Sequence, residues 1–288
     1  MTQGVTIREV ERELGRLRES STGLDQAPRL RTSVMTHIAW VPERWVEAVE
    51  GVMSELGERH PSRVILLFPR PDEGRDAIDA DVDLRCFMRQ SEENVVCSEV
   101  VTLHLCGARM HAPASIVQPL LVSDLPVFLR WRGELPFGSP ELEQLVDIAD
   151  RLVLDAREWS DPPATLSLLA DRLRDVAVSD IAWARTQPWR EAVARLWPEI
   201  AEARRVRVAG PKAEALLLRA WLSSRLGHPV ELDVDPAGEI ELVEVDDQAA
   251  IARSEPKSPA DLLSDQLEIF GRDRIYEEAV RSFSSALT

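Results

Sequence analysis

The sequence predicts an α/β protein: a mixed, largely helix-covered sheet in an N-terminal domain, then a second, smaller α/β (α+β) domain. Three observations carry this. Residues 32–68 alternate strand, helix and strand patterns with short connections, the sign of a sheet covered by helices. Residues 115–133 join an apolar helix end to a fully apolar strand across a sharp turn. Asp161-Pro162-Pro163 then interrupts the chain, and fresh helix and strand patterns begin beyond it. The expected organisation is an N-terminal helix and linker (1–31), an N-terminal α/β domain (32–160) and a C-terminal α/β domain (161–288).

Taken in order, Ile7, Val10, Leu14 and Leu17 recur at helical spacing within Thr6 to Glu19, an amphipathic helix that is marginal unless it docks. Ser20 to Arg31 suits a linker. Thr32 to Val41 is β-rich, Pro42 fits the first turn of a helix over Glu43 to Arg59, and Arg63 to Phe68 is a buried strand. Asp72 to Asp79 is an acidic loop. Ala80 to Met88 and Asn94 to Gly107 form an antiparallel pair around Arg89-Gln90-Ser91-Glu92-Glu93. A helix from about Met110 runs into the 115–133 segment, where Pro126 forces Leu125 toward an extended backbone and Val127-Phe128-Leu129 enters the core. Leu142, Leu145, Val146 and Ile148 mark a helix, and Arg151 to Asp155 a strand. Beyond the prolines come helices over Ala164–Ala177 and Ser179–Leu196, the second broken at Gln187-Pro188. A short strand at Arg205–Val208 precedes a helix over Lys212–Leu226. Val230–Val234 and Glu239–Val245 read as a hairpin, followed by helices near Ala260–Phe270 and Asp273–Ala286.

Bulk properties narrow the function. A formal net charge of −16 argues against nucleic-acid or anionic-membrane partners. Only Lys212 and Lys257 are lysines among 34 basic residues, so lysine-based chemistry has few candidates. No apolar run reaches membrane-spanning length and the first residues lack a signal-peptide pattern, so a cytoplasmic protein is expected.

Cysteine usage fits a reducing compartment, with buried free thiols as the expectation. Should Ser91-Glu92 centre the hairpin, Cys86 faces Cys97 and a cross-strand pair is the alternative. Cys97 and Cys106 point to opposite faces of one strand. His37, His60, His104, His111 and His228 are scattered without i, i+4 spacing, so no metal is expected from them or from the His104, Cys106, His111 run. No cofactor loop is present: Val208-Ala209-Gly210-Pro211-Lys212 opens a helix but reads as a plain tight turn, and Ser123-Asp124 has no histidine partner in sight. Trp183 and Trp189 flank Pro188 with Arg185 and Arg190 beside them. Those residue types are enriched at interfaces and are equally ordinary core residues.

Four segments together resemble a known family. His60-Pro61-Ser62-Arg63-Val64-Ile65, Val96-Cys97-Ser98-Glu99-Val100-Val101, Ser115 to Trp131, and Asp180-Ile181-Ala182-Trp183 with Thr186-Gln187-Pro188-Trp189-Arg190 stand in the order and spacing of the OpcA family, the glucose-6-phosphate dehydrogenase assembly proteins. The resemblance spans about Thr36 to Phe270. It implies a non-catalytic effector that binds and activates glucose-6-phosphate dehydrogenase in the oxidative pentose phosphate pathway, without cofactor and with self-association left open. In photosynthetic bacteria the family is linked to thiol redox control; with no resolving cysteine pair evident, redox control is not expected here. The residues expected to meet the partner are Asp124, Arg130, Trp131 and Arg132 in the first domain and Trp183, Arg185, Trp189 and Arg190 in the second. The alternative is a sugar-phosphate lactonase or isomerase using the Ser123-Asp124 turn, with Arg130 and Arg132 on the phosphate. A general scaffold working through the acidic surface is the third reading.

Overall fold

Strand β2 (Thr36–Trp40) has all five residues buried, because it lies between β3 (Arg63–Arg70) and β6 (Val127–Trp131) and runs parallel to both. Strands covered on both faces are mainly apolar, as residues 64–68 and 127–129 are, while β2 also buries Thr36 and His37. In this computed structural model the described residues are 1–21, 29–30, 33–49, 52, 59–88, 95–253 and 257–284. The chain divides into two compact units. The first comprises Met1–Arg132, Pro136–Val153 and Pro259–Ser264, and the second Gly133–Leu135, Leu154–Ser258 and Asp265–Thr288.

In the first unit the strands follow the order β1 (Arg29–Leu30), β5 (Val95–Cys106), β3, β2, β6, β7 (Arg151–Leu154), all parallel. Strand β4 (Ile78–Met88) adds to β5 antiparallel, which makes the sheet mixed as expected. Helix α1 (Ile7–Ser21) packs against β4 and buries Val10 and Leu14. It is also tied by charge. Glu99 on β5 accepts from Arg18 (2.8 Å) and from Arg63 on β3 (2.8 Å). Burial alone would raise the Glu99 carboxyl, but the two guanidiniums outweigh it and hold its pKa below the usual range. After β5, a 3₁₀ turn leads into α2 (Pro113–Val117), and α3 (Pro140–Asp147) is capped by Ser139, whose hydroxyl accepts from the Leu142 N–H.

The β4–β5 register sets Cys86 directly opposite Cys97, and a disulfide joins them. The expectation of free thiols fails for this pair because their Cα atoms are only 4.1 Å apart, the close spacing of a non-hydrogen-bonded antiparallel pair. Cys106 remains a buried free thiol. The proposed hairpin centre at Ser91-Glu92, the linker at 22–28 and 31–32, and much of the helix expected over 43–59 lie outside the described residues.

The second unit holds α4 (Pro162–Arg172), β8 (Ala177–Asp180), α5 (Ile181–Arg185) and α6 (Gln187–Ala194). Asp161 does not merely break the chain: its carboxylate caps α4, with Pro162 in the first turn. Where a helix starting at Ser179 was expected, broken at Gln187-Pro188, β8 occupies 177–180. The β-branched Val178 and the capping aspartate decide the conformation there. A four-stranded sheet follows in the order β10 (Glu231–Pro236), β9 (Arg205–Gly210), β11 (Leu242–Val245), β12 (Gln248–Ala250).

The hairpin expected between 230–234 and 239–245 is not formed. Strand β9 sits between those segments, parallel to β10 and antiparallel to β11. The crossover helix α7 (Lys212–Leu226) returns the chain parallel to β9, and Val206 and Val208 fill the centre. The real hairpin joins β11 to β12 through Asp246-Asp247, whose φ values of 40° and 42° are those of a two-residue hairpin turn. Helix α7 ends at Gly227, left-handed at φ 75°. Helix α9 (Arg274–Ser284) packs on α4 and α7, while α8 covers Pro259–Leu267.

Two predictions follow from this architecture. Opening the Cys86–Cys97 bridge frees a short loop in the unfolded chain, so a reductant should lower stability by about 2–3 kcal/mol. Urea unfolding with and without dithiothreitol measures this, and coincident curves contradict it. His37, 1% exposed on β2, finds no partner for either ring nitrogen among the described residues. Burial, with Arg130 and then His60 adding repulsion, lowers its pKa from 6.5 to about 3. As pH falls below 6.5 the unfolded chain takes the proton first, so stability present at neutral pH is lost toward pH 3. His37→Leu should flatten this acid limb in thermal melts; an unchanged limb contradicts it.

Candidate functional site

The residues expected at a partner surface fall into two groups, four in each unit. In the first unit Asp124 is exposed in the turn before β6, at a left-handed φ of 64°. The others turn mostly inward. Arg130 is buried, and its guanidinium donates to the Trp131 carbonyl (2.8 Å) and the Val153 carbonyl (3.4 Å). Trp131 stacks on Trp40 with ring centroids 4.9 Å apart and planes nearly parallel. Arg132, half-buried, lies over the Trp45 ring at 4.2 Å, with Arg44 at 5.6 Å from the same ring. Strand β6 thus exits into a ladder of indoles and guanidiniums made by neighbouring strands and the turn at Glu43–Trp45.

The second group is knitted together by hydrogen bonds. Asp180 ends β8 and caps α5: its Oδ1 accepts from the Ala182 N–H (2.9 Å) and the Ala156 N–H (3.2 Å), and its Oδ2 from the Tyr276 hydroxyl (3.3 Å). Trp183 is buried, donates from Nε1 to Asp273 (2.8 Å), and carries the Arg190 guanidinium 3.5 Å above its ring centroid. Arg190 also donates from Nε to the Thr186 hydroxyl (3.0 Å), and burial pushes its pKa down to about 10. Arg185 makes a two-bond fork with Asp155, both bonds 2.9 Å. Trp189 is half-buried on α6.

Arg185 and Arg157 both face Glu214, a fully buried carboxylate in the first turn of α7. Arg157 bonds Glu214 and forks onto Glu239 (2.8 and 2.9 Å). Burial outweighs these cations and the carboxyl rises to about 7; among the described residues the second Glu214 oxygen has no hydrogen-bond partner. Asp180 likewise rises to about 7, from burial and then the Asp155 charge. The helix N-terminus flagged at 208–212 therefore already has a protein carboxylate in its first turn. At Gly210 a Cβ would come within 3.1 Å of the Ile240 Cα, so the 240 backbone would have to give by a few tenths of an ångström.

Chemically this is a buried carboxylate–arginine cluster that fixes the Asp180–Arg190 segment in place. Sequence reasoning found the segment but not its partners Asp155, Glu214, Asp273 and Tyr276, which lie up to 96 positions away. The one local signal was Asp273 just before a helix, where it caps Tyr276. The histidine and cysteine run does not converge either. His104 stacks on Phe68, and His111 bonds Glu141. The Cys106 thiol lies within 4.8 Å of carboxylate oxygens of Glu73 and Asp79, and Arg75 bonds both acids. Burial, then Glu73, pushes that thiol up to about 11.

A two-unit α/β protein whose charged clusters are turned inward is thereby defined. Comparison with known families narrows the class. Residues 53–171 match the model of the glucose-6-phosphate dehydrogenase subunit N-terminal domain, and residues 176–280 that of its C-terminal domain. The chain belongs to the OpcA family. A protein named "Putative OxPP cycle protein OpcA" from Nostoc punctiforme is 28% identical over 61% of this chain and 40% of its own length. Namesakes from Synechocystis (25% identical, 65% of this chain, 42% of their chain) and Synechococcus elongatus (28%, 66% and 45%) are similar. The chain thus spans less than half the length of these relatives. A crystal structure titled as a "putative oxidoreductase" from Magnetospirillum magnetotacticum aligns over 88% of this chain and 99% of its own, at 11% identity and TM-score 0.43, too distant to carry function.

Asp180 supplies a pH test. Its folded pKa of about 7 lies above the unfolded 3.8, so the native state keeps a proton the unfolded chain has released. Stability therefore falls as pH climbs between those values and levels off above them. Asp180→Asn keeps the acceptor for both backbone N–H groups and removes the titration. The stability of this variant relative to wild type should rise across pH 4 to 7 and then plateau; a constant difference contradicts it.

Proposed function

We propose that this chain is a non-catalytic effector that binds glucose-6-phosphate dehydrogenase and activates it, in the oxidative pentose phosphate pathway of the cytoplasm. One observation carries the reading: two consecutive family models, both described as domains of a glucose-6-phosphate dehydrogenase subunit, cover most of the chain in the right order. The pathway named for the curated relatives points the same way. The site chemistry supports a binding role: the conspicuous acids, arginines and tryptophans are engaged with one another, and Arg130, assigned to phosphate in the lactonase reading, is a buried residue of β6 bonded to backbone carbonyls. No described helix is long and apolar enough to cross a membrane. In a reducing cytoplasm Cys86 and Cys97 would be held as thiols. The residues proposed to meet the dehydrogenase remain Asp124, Arg130, Trp131, Arg132, Trp183, Arg185, Trp189 and Arg190. Asp124 and Trp189 offer direct contact, and the others shape the surface from beneath.

The test is to titrate the purified chain into glucose-6-phosphate dehydrogenase while following NADP reduction, with co-elution on gel filtration. The expected result is a faster rate or tighter substrate binding together with a joint peak. Unchanged kinetics and separate elution overturn the proposal.

A further inference from the structure

The family motif faces inward, yet the second unit displays an open groove elsewhere. Between the end of α6 and strand β12 lies a cavity of about 510 Å³ lined by Ala192, Arg195, Leu196, Ala249, Ile251 and Arg253. Its rim is unusually apolar for a surface: Ile251 is 73% exposed, and Trp197, next to Leu196, is 61% exposed. Trp189 stands one turn before Ala192 on α6, so the helix face leads into the groove. Strand β12 ends the sheet order and, among the described residues, pairs with β11 alone, so the groove lies beside an edge strand.

The charge of the groove indicates its occupant. The chain as a whole carries −16, but among the described residues the lining supplies two guanidiniums, from Arg195 and Arg253, and no carboxylate. Glu191 stands 3.7 Å from Arg195 as an exposed pair, too weak to cancel it. An apolar slot with a cation on each wall complements an apolar side chain flanked by carboxylates. Resting on the dehydrogenase reading above, we infer that this groove is the docking site for an acidic segment of glucose-6-phosphate dehydrogenase that presents an apolar anchor.

The full chain and three exposed-site variants, Ile251→Asp, Arg253→Glu and Trp197→Ala, are titrated against the dehydrogenase by surface plasmon resonance. Leu168→Ala, exposed on α4, is the control. Each groove variant should weaken Kd about tenfold or more with its thermal midpoint unchanged, the control leaving Kd as it was. Raising NaCl should weaken wild type more than Arg253→Glu, which has lost its charge contact. Wild-type binding that all three variants retain overturns the groove and leaves the partner standing. Variants that instead dissociate a self-associated form of this chain, with dehydrogenase binding intact, also overturn the groove. Absence of wild-type binding overturns the partner and the groove together.

Discussion

The second unit depends on one buried carboxylate. Asp180 closes β8, caps α5, holds the Ala156 amide and receives the Tyr276 hydroxyl. A carboxyl with so little water around it is stable only if its neighbours supply hydrogen bonds, and here they come from three separate stretches of chain. That requirement fixes where α5 starts. It sets Trp183 between Asp273 and Arg190, and places Arg185 within reach of Asp155 and Glu214. The aspartate at the head of the segment and the arginines and tryptophans that follow it are thus one construction. Each residue type answers a need created by the one before.

The first unit solves a different problem. Parallel strands buried on both faces give their backbone groups to each other and their side chains to the core, so few polar side chains are tolerated. Those that persist have stated partners: Glu99 sits between Arg18 and Arg63, and His60 bonds Ser264 at 2.6 Å. His37 is different, an imidazole kept neutral by burial, and beside it the buried Thr36 hydroxyl also has no hydrogen-bond partner among the described residues. The Trp40–Trp131 stack and the Arg132–Trp45 contact at the ends of β2 and β6 finish that core with flat aromatic surfaces.

Local patterns carried most of the fold. Ile7, Val10 and Leu14 marked α1; the apolar run at 127–129 marked β6; and the β4–β5 pair was legible, although the free thiols expected at Cys86 and Cys97 proved to be a disulfide. What escaped was non-local. Whether 239–245 pairs with 230–234 or with 205–210 is settled by a crossover helix and by the turn at Asp246-Asp247, not by the strands' own composition. Strand β8 was hidden because Ala177-Val178-Ser179 is short and runs straight into a helix. For the site, residue types were legible and their orientation was not. Trp183, Arg185 and Arg190 look alike in sequence whether they face a partner or the interior, and the long-range acids decide it, Asp273 for Trp183 and Asp155 for Arg185.

Two roles are proposed within one C-terminal unit: the recognisable segment at 180–190 as framework, and exposed Trp197, Ile251 and Arg253 as the docking surface. Hydrogen–deuterium exchange on the chain with and without glucose-6-phosphate dehydrogenase tests that separation directly. The account predicts new protection at 195–197 and 249–253, with 181–186 already slow to exchange in the free chain. Protection confined to other surfaces, or fast exchange at 181–186 that slows only in the complex, would contradict it.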